Sequence, residues 1–187
     1  MPEQRDWKGM WETAGRQLNE HTGEDVAAWN RRIQEHDFPD EPSLRGWLAQ
    51  QGVTGYAQTL LVMERFGYPD YFLASANELI DAQYASQPEL RPIFDAIIQA
   101  ISAFGEVAIQ ARKTYGSLVT PRRTFARIQP GRSQVEVGLR LVAQNAGGRL
   151  EPSRIHASMP LQISFSALDD LDAEALDWLQ QAYEQNA

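Results

Sequence analysis

Through the first hundred residues the apolar positions recur every three or four residues, and after that the period shortens to two. The first regime predicts a succession of amphipathic helices. Residues 6–20 carry Trp7, Met10, Trp11, Ala14 and Leu18 on one stripe, and His21-Thr22-Gly23 closes it. A second helix follows with Val26, Ala27, Trp29 and Ile33 as its apolar positions, capped by Thr22 with Asp25 in the capping-box position. The segment His36–Pro42 has two prolines, three acids and no periodic face, so it is a loop. Ser43 opens a short helix with Leu44, Trp47 and Leu48, which Gly52 closes. Thr54 starts another over Gly55–Phe66, and Gly67 stops it. Tyr68-Pro69-Asp70 reads as a turn, Ser75–Tyr84 as a helix, and Pro88–Phe104 as a strong helix carrying Leu90, Ile93, Phe94, Ile97, Ile98 and Ile101.

The second regime predicts strands. A short one is expected at Val107–Gln110, followed by a block of three over Arg112–Leu141: Lys113–Val119, Thr124–Gln129 and Gln134–Leu141, broken by Pro121 and by Pro130-Gly131. Val135, Val137, Leu139 and Leu141 alternate with Gln134, Glu136 and Arg140, the pattern of an antiparallel sheet with one wet face. A loop over Ala143–Arg149, a strand over Leu161–Phe165 and a helix from Asp172 with Trp178, Leu179, Ala182 and Tyr183 on its buried stripe complete the chain. The expected fold class is α+β, with a helical domain at 1–67, a helical linker at 68–87, and a domain at 88–187 in which helices pack on an antiparallel sheet.

Charge changes this picture more than composition does. The net charge of −8 argues against indiscriminate coating of nucleic acid. Yet residues 112–154 hold nine basic side chains (Arg112, Lys113, Arg122, Arg123, Arg127, Arg132, Arg140, Arg149 and Arg154) against Glu136 and Glu151, a local balance of +7. The remainder, with 8 basic and 23 acidic residues, stands at −15. The absence of cysteine excludes disulfides and Cys-ligated metal sites. With no apolar leader and no run long enough to span a bilayer, a cytoplasmic location is expected.

Several short stretches in fixed order carry a resemblance. Thr22-Gly23 before a helix with Trp29, then Trp47-Leu48 and Gly55-Tyr56-Ala57, resemble a small helical domain of unknown function in bacterial proteins. Leu90-Arg91-Pro92-Ile93, Lys113-Thr114-Tyr115, Phe125-Ala126, the Val135–Leu141 strand, Leu176-Asp177-Trp178-Leu179 and Ala182-Tyr183 resemble the uncharacterised α+β domain that follows it. Together they cover roughly residues 5–185. Relatives are sometimes labelled "predicted transport protein", and similar C-terminal domains stand beside restriction-type nuclease modules, so the resemblance implies a nucleic-acid context and transfers no catalytic residue.

The remaining chemistry is sparse. No P-loop, GxGxxG, HExxH or GxSxG is present, and the sequence asks for no cofactor, metal or catalytic residue. His36 among Glu35, Asp37, Asp40 and Glu41 reads as part of a solvated acidic loop rather than a cation site. His21 complements a helix C-terminus, and Asp169, Asp170, Asp172 and Glu174 complement a helix N-terminus. Trp7, Trp11, Trp29 and Trp47 suggest an aromatic cage, but their helical spacing favours core packing. Leu44–Phe66 has a helix-turn-helix outline whose second helix offers Gln58, Thr59 and only Arg65 as a base, too little charge for a recognition helix.

The basic sheet is the leading candidate. Lys113, Tyr115, Arg122, Arg123, Arg127, Arg140 and His156 are the expected ligand-binding residues, the arginines, Arg132 among them, supplying anion forks and Tyr115 and Phe125 stacking surfaces. The alternative for these cations is neutralisation of acidic helices in the same molecule or across a homo-oligomer. The expected function is a non-enzymatic binding or accessory module for an anion, nucleic acid or a small molecule, with no membrane partner. A rival is an enzyme or sensor for a small anion in which His156 or Tyr115 donates a proton.

Overall fold

The structure, a computed structural model, describes residues 2–142 and 148–187. The chain forms two compact units, one of Trp7–Leu73 and one of Met1–Asp6 with Ala74–Ala187.

The helical unit holds α1 (Lys8–Thr22), α2 (Val26–Gln34), α3 (Glu41–Gln50), α4 (Gly55–Phe66) and the short α5 (Asp70–Leu73). Helix α4 lies against α1, α2 and α3. Leu18, Trp29, Ile33, Leu44, Leu48, Val53, Leu61 and Val62 form the core at their meeting point. Two caps differ from expectation. The Asp25 carboxylate, not Thr22, accepts from Ala28 N–H at the start of α2, and Asp40 accepts from Ser43 N–H at the start of α3. Thr22 is the last residue of α1, before Gly23 in a left-handed cap. Its hydroxyl donates to Leu18 O and accepts from the Trp29 indole N–H.

The second unit contains β1 (Glu3–Arg5), α6 (Ala76–Tyr84), a 3-10 turn over Pro88–Leu90, α7 (Arg91–Ile101), β2 (Ala108–Ala111), β3 (Gly116–Val119), β4 (Thr124–Pro130), β5 (Val135–Leu139), β6 (Glu151–His156), β7 (Met159–Phe165) and α8 (Ala173–Glu184). The seven strands run in the order β1-β2-β3-β4-β5-β7-β6. The sheet is mixed rather than purely antiparallel, because β1 pairs parallel with β2 through Glu3 and Ala108. Helix α6 lies against β1, β2 and β4, and the unit takes in residues 1–6 and 74–187. Residues 143–147 of the expected loop lie outside the described residues, and Gly148-Arg149 forms a turn.

The pairing register sorts the strand residues by face. Ile109, Leu118, Ala126, Ile128, Val135, Val137, Leu139, Ile163 and Phe165 lie on the apolar face and are fully buried. Helices α6, α7 and α8 make one layer on it: Tyr84 of α6 meets Phe94 of α7, and α7 meets α8. The opposite face carries Gln110, Ser117, Arg127, Gln129, Glu136, Gln162 and Ser164.

Phe125 departs from strict alternation. Leu118 pairs with Ala126 but Val119 with Thr124, so Phe125 is the extra residue of a β-bulge. The bulge turns Phe125 to the same side as Ala126, where it is fully buried and meets Tyr183 of α8 edge-on at 5.7 Å. Phe125 is therefore a core residue and offers no stacking surface.

Arg149 also turns inward. Its guanidinium donates to Asp170 O at 2.7 Å, to the Asp172 carboxylate at 3.0 Å and to Ser164 O at 3.3 Å. Asp170 accepts backbone N–H bonds from Ser166 and Ala167; these donors, with Arg149 nearby, hold its carboxyl below the ordinary aspartate range. Asp172 caps α8 through Ala175 N–H.

Two predictions follow from this packing. Phe125→Ala removes a buried ring and is expected to lower the unfolding free energy by about 3 kcal/mol or more. Urea denaturation measures this, and a loss below about 1 kcal/mol would mean the bulge does not anchor the helix layer. Asp170 has a lowered folded-state value, so its contribution is complete above the ordinary aspartate value near pH 4 and is lost as pH falls through the folded value. Asp170→Asn is expected to flatten the decline of urea midpoints below about pH 4; an unchanged acid limb would contradict the assignment.

Candidate anion-binding face and clefts

Antiparallel pairing dictates where the basic residues go. The β2–β3 and β4–β5 turns fall at one end of the sheet and carry Lys113 and Arg132. The β3–β4 and β6–β7 turns fall at the other end and carry Arg122, Arg123 and His156. Arg127 lies between the ends, on the open face.

The open face is built around Arg127 and Arg140. Arg127 pairs with Gly138, and Arg140 follows Gly138 by two residues, so the two arginines are diagonal neighbours across β4 and β5. Gly138 leaves room there: a Cβ on it would come within 3.1 Å of Met159 and 3.2 Å of Ile155, which arch over it from the β6–β7 hairpin. The Arg127 guanidinium lies on the Tyr115 ring, 3.3 Å from its centroid. The Nε atoms of Arg127 and Arg140 are both buried with no hydrogen-bond partner. Neither guanidinium has a carboxylate partner among the described residues, in contrast to Arg149 and Arg91.

Farther along the same face, Gln129 and Gln134 both donate to Glu136, and Gln134 also reaches Ser164. With Arg154 and Gln162 they line a shallow polar groove of about 260 Å³. The strand alternation places this amide row on one face, a signal that carries no charge.

The Thr120–Arg123 turn is rigidly tied. The Thr120 hydroxyl accepts from the backbone N–H of Arg122 and of Arg123, and donates to Asn186 O at 2.7 Å. The Asn186 amide in turn donates to Arg140 O at 2.7 Å. Asn186 thereby holds the Arg122-Arg123 turn beside Arg140, through its main-chain carbonyl on one side and its side-chain amide on the other. Arg123 also donates to Gln185 O, while Arg122 is exposed. Both line a cleft of about 550 Å³ that Glu3 and Glu106 also border.

At the opposite end, Lys113, Thr114, Ser86 and Arg132 line a cleft of about 470 Å³ with Gln83 and Gln87 in its wall. Gly131 of its lining lies against the Glu136 carboxylate, which a Cβ there would meet at 2.8 Å.

The structure does not unite every expected residue. His156 and Tyr115 lie at opposite ends of the sheet, so no single concave site uses both as proton donors. His156 is exposed and engaged locally, its Nδ1 accepting from Ser158 N–H at 3.1 Å and lying 2.8 Å from Ser158 Oγ. In the helical unit, the Gln58 amide is spent on Arg45 O and Val53 O, and Thr59 donates to Gly55 O, so neither side chain is presented for base reading. Arg32 covers the Trp29 ring at 4.3 Å, and Trp47 meets Trp29 edge-on, which makes that aromatic group a packing feature. His36 has Nδ1 on Arg32 O and its ring against Phe38 and Trp47. No group of three or more His, Asp or Glu among the described residues could hold a metal ion. No helix of the described residues is long and apolar enough to cross a membrane.

Neither a curated protein nor a solved structure shows significant similarity to the chain. Residues 80–186, from the middle of α6 through α8, span the open face, both flanking clefts and the helix layer. Over that span the chain matches a domain of unknown function, DUF5655, and it belongs to that family.

Proposed function

We propose that the chain is a non-enzymatic binding module whose open sheet face takes a phosphate-bearing polymer, single-stranded nucleic acid. The observation that carries the reading is the Arg127 and Arg140 pair: two diagonal arginines on one face, neither with a carboxylate partner among the described residues. The terminal nitrogens of the two forks would donate to the oxygens of a phosphate.

The surroundings support a polymer over a lone ion. Asn186 sets the Arg122-Arg123 turn beside Arg140, so cations run from the sheet end to its middle. Beside Arg127 runs a groove lined by Gln129, Gln134, Gln162, Ser164 and Arg154 together with Glu136 and Glu151, polar groups of the kinds that read base edges. The guanidinium resting on Tyr115 is a flat cationic surface on which a base can stack. A sheet face with exposed strands suits unpaired bases better than a duplex groove.

Fluorescence anisotropy with labelled single-stranded DNA, RNA and duplex at two salt concentrations tests the reading. Binding is expected to weaken with salt and to favour the single strands. Arg127→Gln with Arg140→Gln is expected to weaken it at least about tenfold and to reduce the log–log salt slope by roughly 1.4, two contacts at about 0.7 each. Arg122→Ala with Arg123→Ala is expected to weaken it less. Unchanged binding in the Arg127 and Arg140 variant, with the fold intact by circular dichroism, would overturn the assignment.

A further inference from the structure

The groove beside Arg127 differs in sign from the rest of the open face. Arg127 and Arg140 are cationic, yet two carboxylates, Glu136 and Glu151, border this groove. Carboxylates repel phosphate, so a strand lying along the face must present something else there. Gln129 follows Arg127 by two residues on β4 and pairs with Glu136, which puts the groove about 7 Å along the strand from the Arg127 row. A single nucleotide spans that separation, with its phosphate at the arginines and its base in the groove. At about 260 Å³ the groove is smaller than the roughly 300–1,000 Å³ of most ligand pockets, and it suits one planar base better than a whole nucleotide.

The buried side of the groove is set by Glu136. A carboxylate only accepts, so Glu136 draws the amide nitrogens of Gln129 and Gln134 toward itself, at 3.1 and 3.5 Å, and Gln134 also donates to Ser164 Oγ at 3.3 Å. This leaves the amide oxygens, with the carboxylates, as the acceptors of the groove. Ile155 adds an apolar wall against which a flat ring can lie.

Glu151 and Arg154 supply the charge at the mouth. Both are exposed and both line the groove, yet neither forms an ion pair with the other or with any other described residue. Opposite charges held apart on one groove suit a ligand that joins a pair of donors to a pair of acceptors. Guanine has that edge. Its N1–H and N2–H are adjacent donors that match the two oxygens of a carboxylate, and its O6 and N7 are the acceptors that an arginine fork meets. Adenine and cytosine bring one amino group beside a ring acceptor, and thymine one ring N–H between two carbonyls, so none of them gives a carboxylate two adjacent donors.

We infer that this groove is a guanine-reading subsite of the open face, with Glu151 accepting from the base N1–H and N2–H and Arg154 donating to O6 and N7. The inference rests on the reading of that face as a surface for single-stranded nucleic acid.

The experiment is fluorescence anisotropy of the full chain with labelled oligothymidylate and with the same strand carrying isolated guanine, adenine, cytosine or hypoxanthine bases. The guanine strand is expected to bind at least about fivefold tighter than oligothymidylate, and the hypoxanthine strand, which lacks the N2 amine, less than about twofold tighter. Glu151→Gln is expected to bring the guanine-to-thymine affinity ratio below about twofold, and Arg154→Gln to lower it as well. Removing one negative charge strengthens every strand alike, so the ratio isolates the contact. Arg127→Gln with Arg140→Gln is expected to weaken all strands and to leave the ratio within about twofold of its original value. Equal affinity for the guanine and thymine strands, or a guanine preference that survives Glu151→Gln, would overturn the inference and leave the open-face reading standing. Failure of every strand to bind would overturn both.

Discussion

The one-residue bulge at Phe125 governs what the sheet can do. Strand residues two apart share a face, so without the bulge Phe125 and Arg127 would lie on the same side. Either an aromatic ring would sit among the open-face polar groups or Arg127 would enter the apolar core. With Phe125 as the extra residue, Phe125 and Ala126 both turn inward while Arg127 stays outward on Tyr115. The same event gives α8 its contact, because Tyr183 meets the displaced ring. Core, helix layer and open face all depend on this single irregularity.

The basic segment does not act as a unit. Arg149 is drawn inward to Asp170 and Asp172 and serves the end of the sheet next to α8. For Arg149, neutralisation comes from the carboxylates at the start of α8. Arg127 and Arg140 lie on the open face, Arg122 and Arg123 at one end, and Lys113 and Arg132 at the other. Charge that looks continuous along the chain is divided by strand reversal into distinct surfaces, and only their mutual placement distinguishes a polymer track from a pocket.

Helices and central strands were legible because local rules are enough to specify them. Asp172 caps a helix where an oxygen acceptor precedes an apolar stripe, and Ser75 does so with Glu78 in a reciprocal capping box. Val135, Val137 and Leu139 alternate cleanly because the helix layer covers only one face. The misses are long-range or lack an apolar signature. Strand β6 is a partly exposed edge containing Pro152, and β1 is three polar residues paired with a strand far along the chain. Arg127 and Arg140 could be placed on one face by counting, but their shared lack of a partner could not. Gln83 and Gln87 were invisible as cleft walls because the carbonyls they donate to lie on other elements.

The pairing of Glu3 with Ala108 makes the sheet-bearing unit discontinuous along the chain, with the whole helical unit spliced between its first strand and the rest. During synthesis, β1 leaves the ribosome before the helical unit and has its partner only once β2 emerges. The helical unit, whose core is complete by residue 62, has everything it needs to condense in the interval. Edge strand β1 is therefore added late, as a closing piece on a sheet already assembled from β2 onward, with its loop entropy reduced by the compact insert it must span.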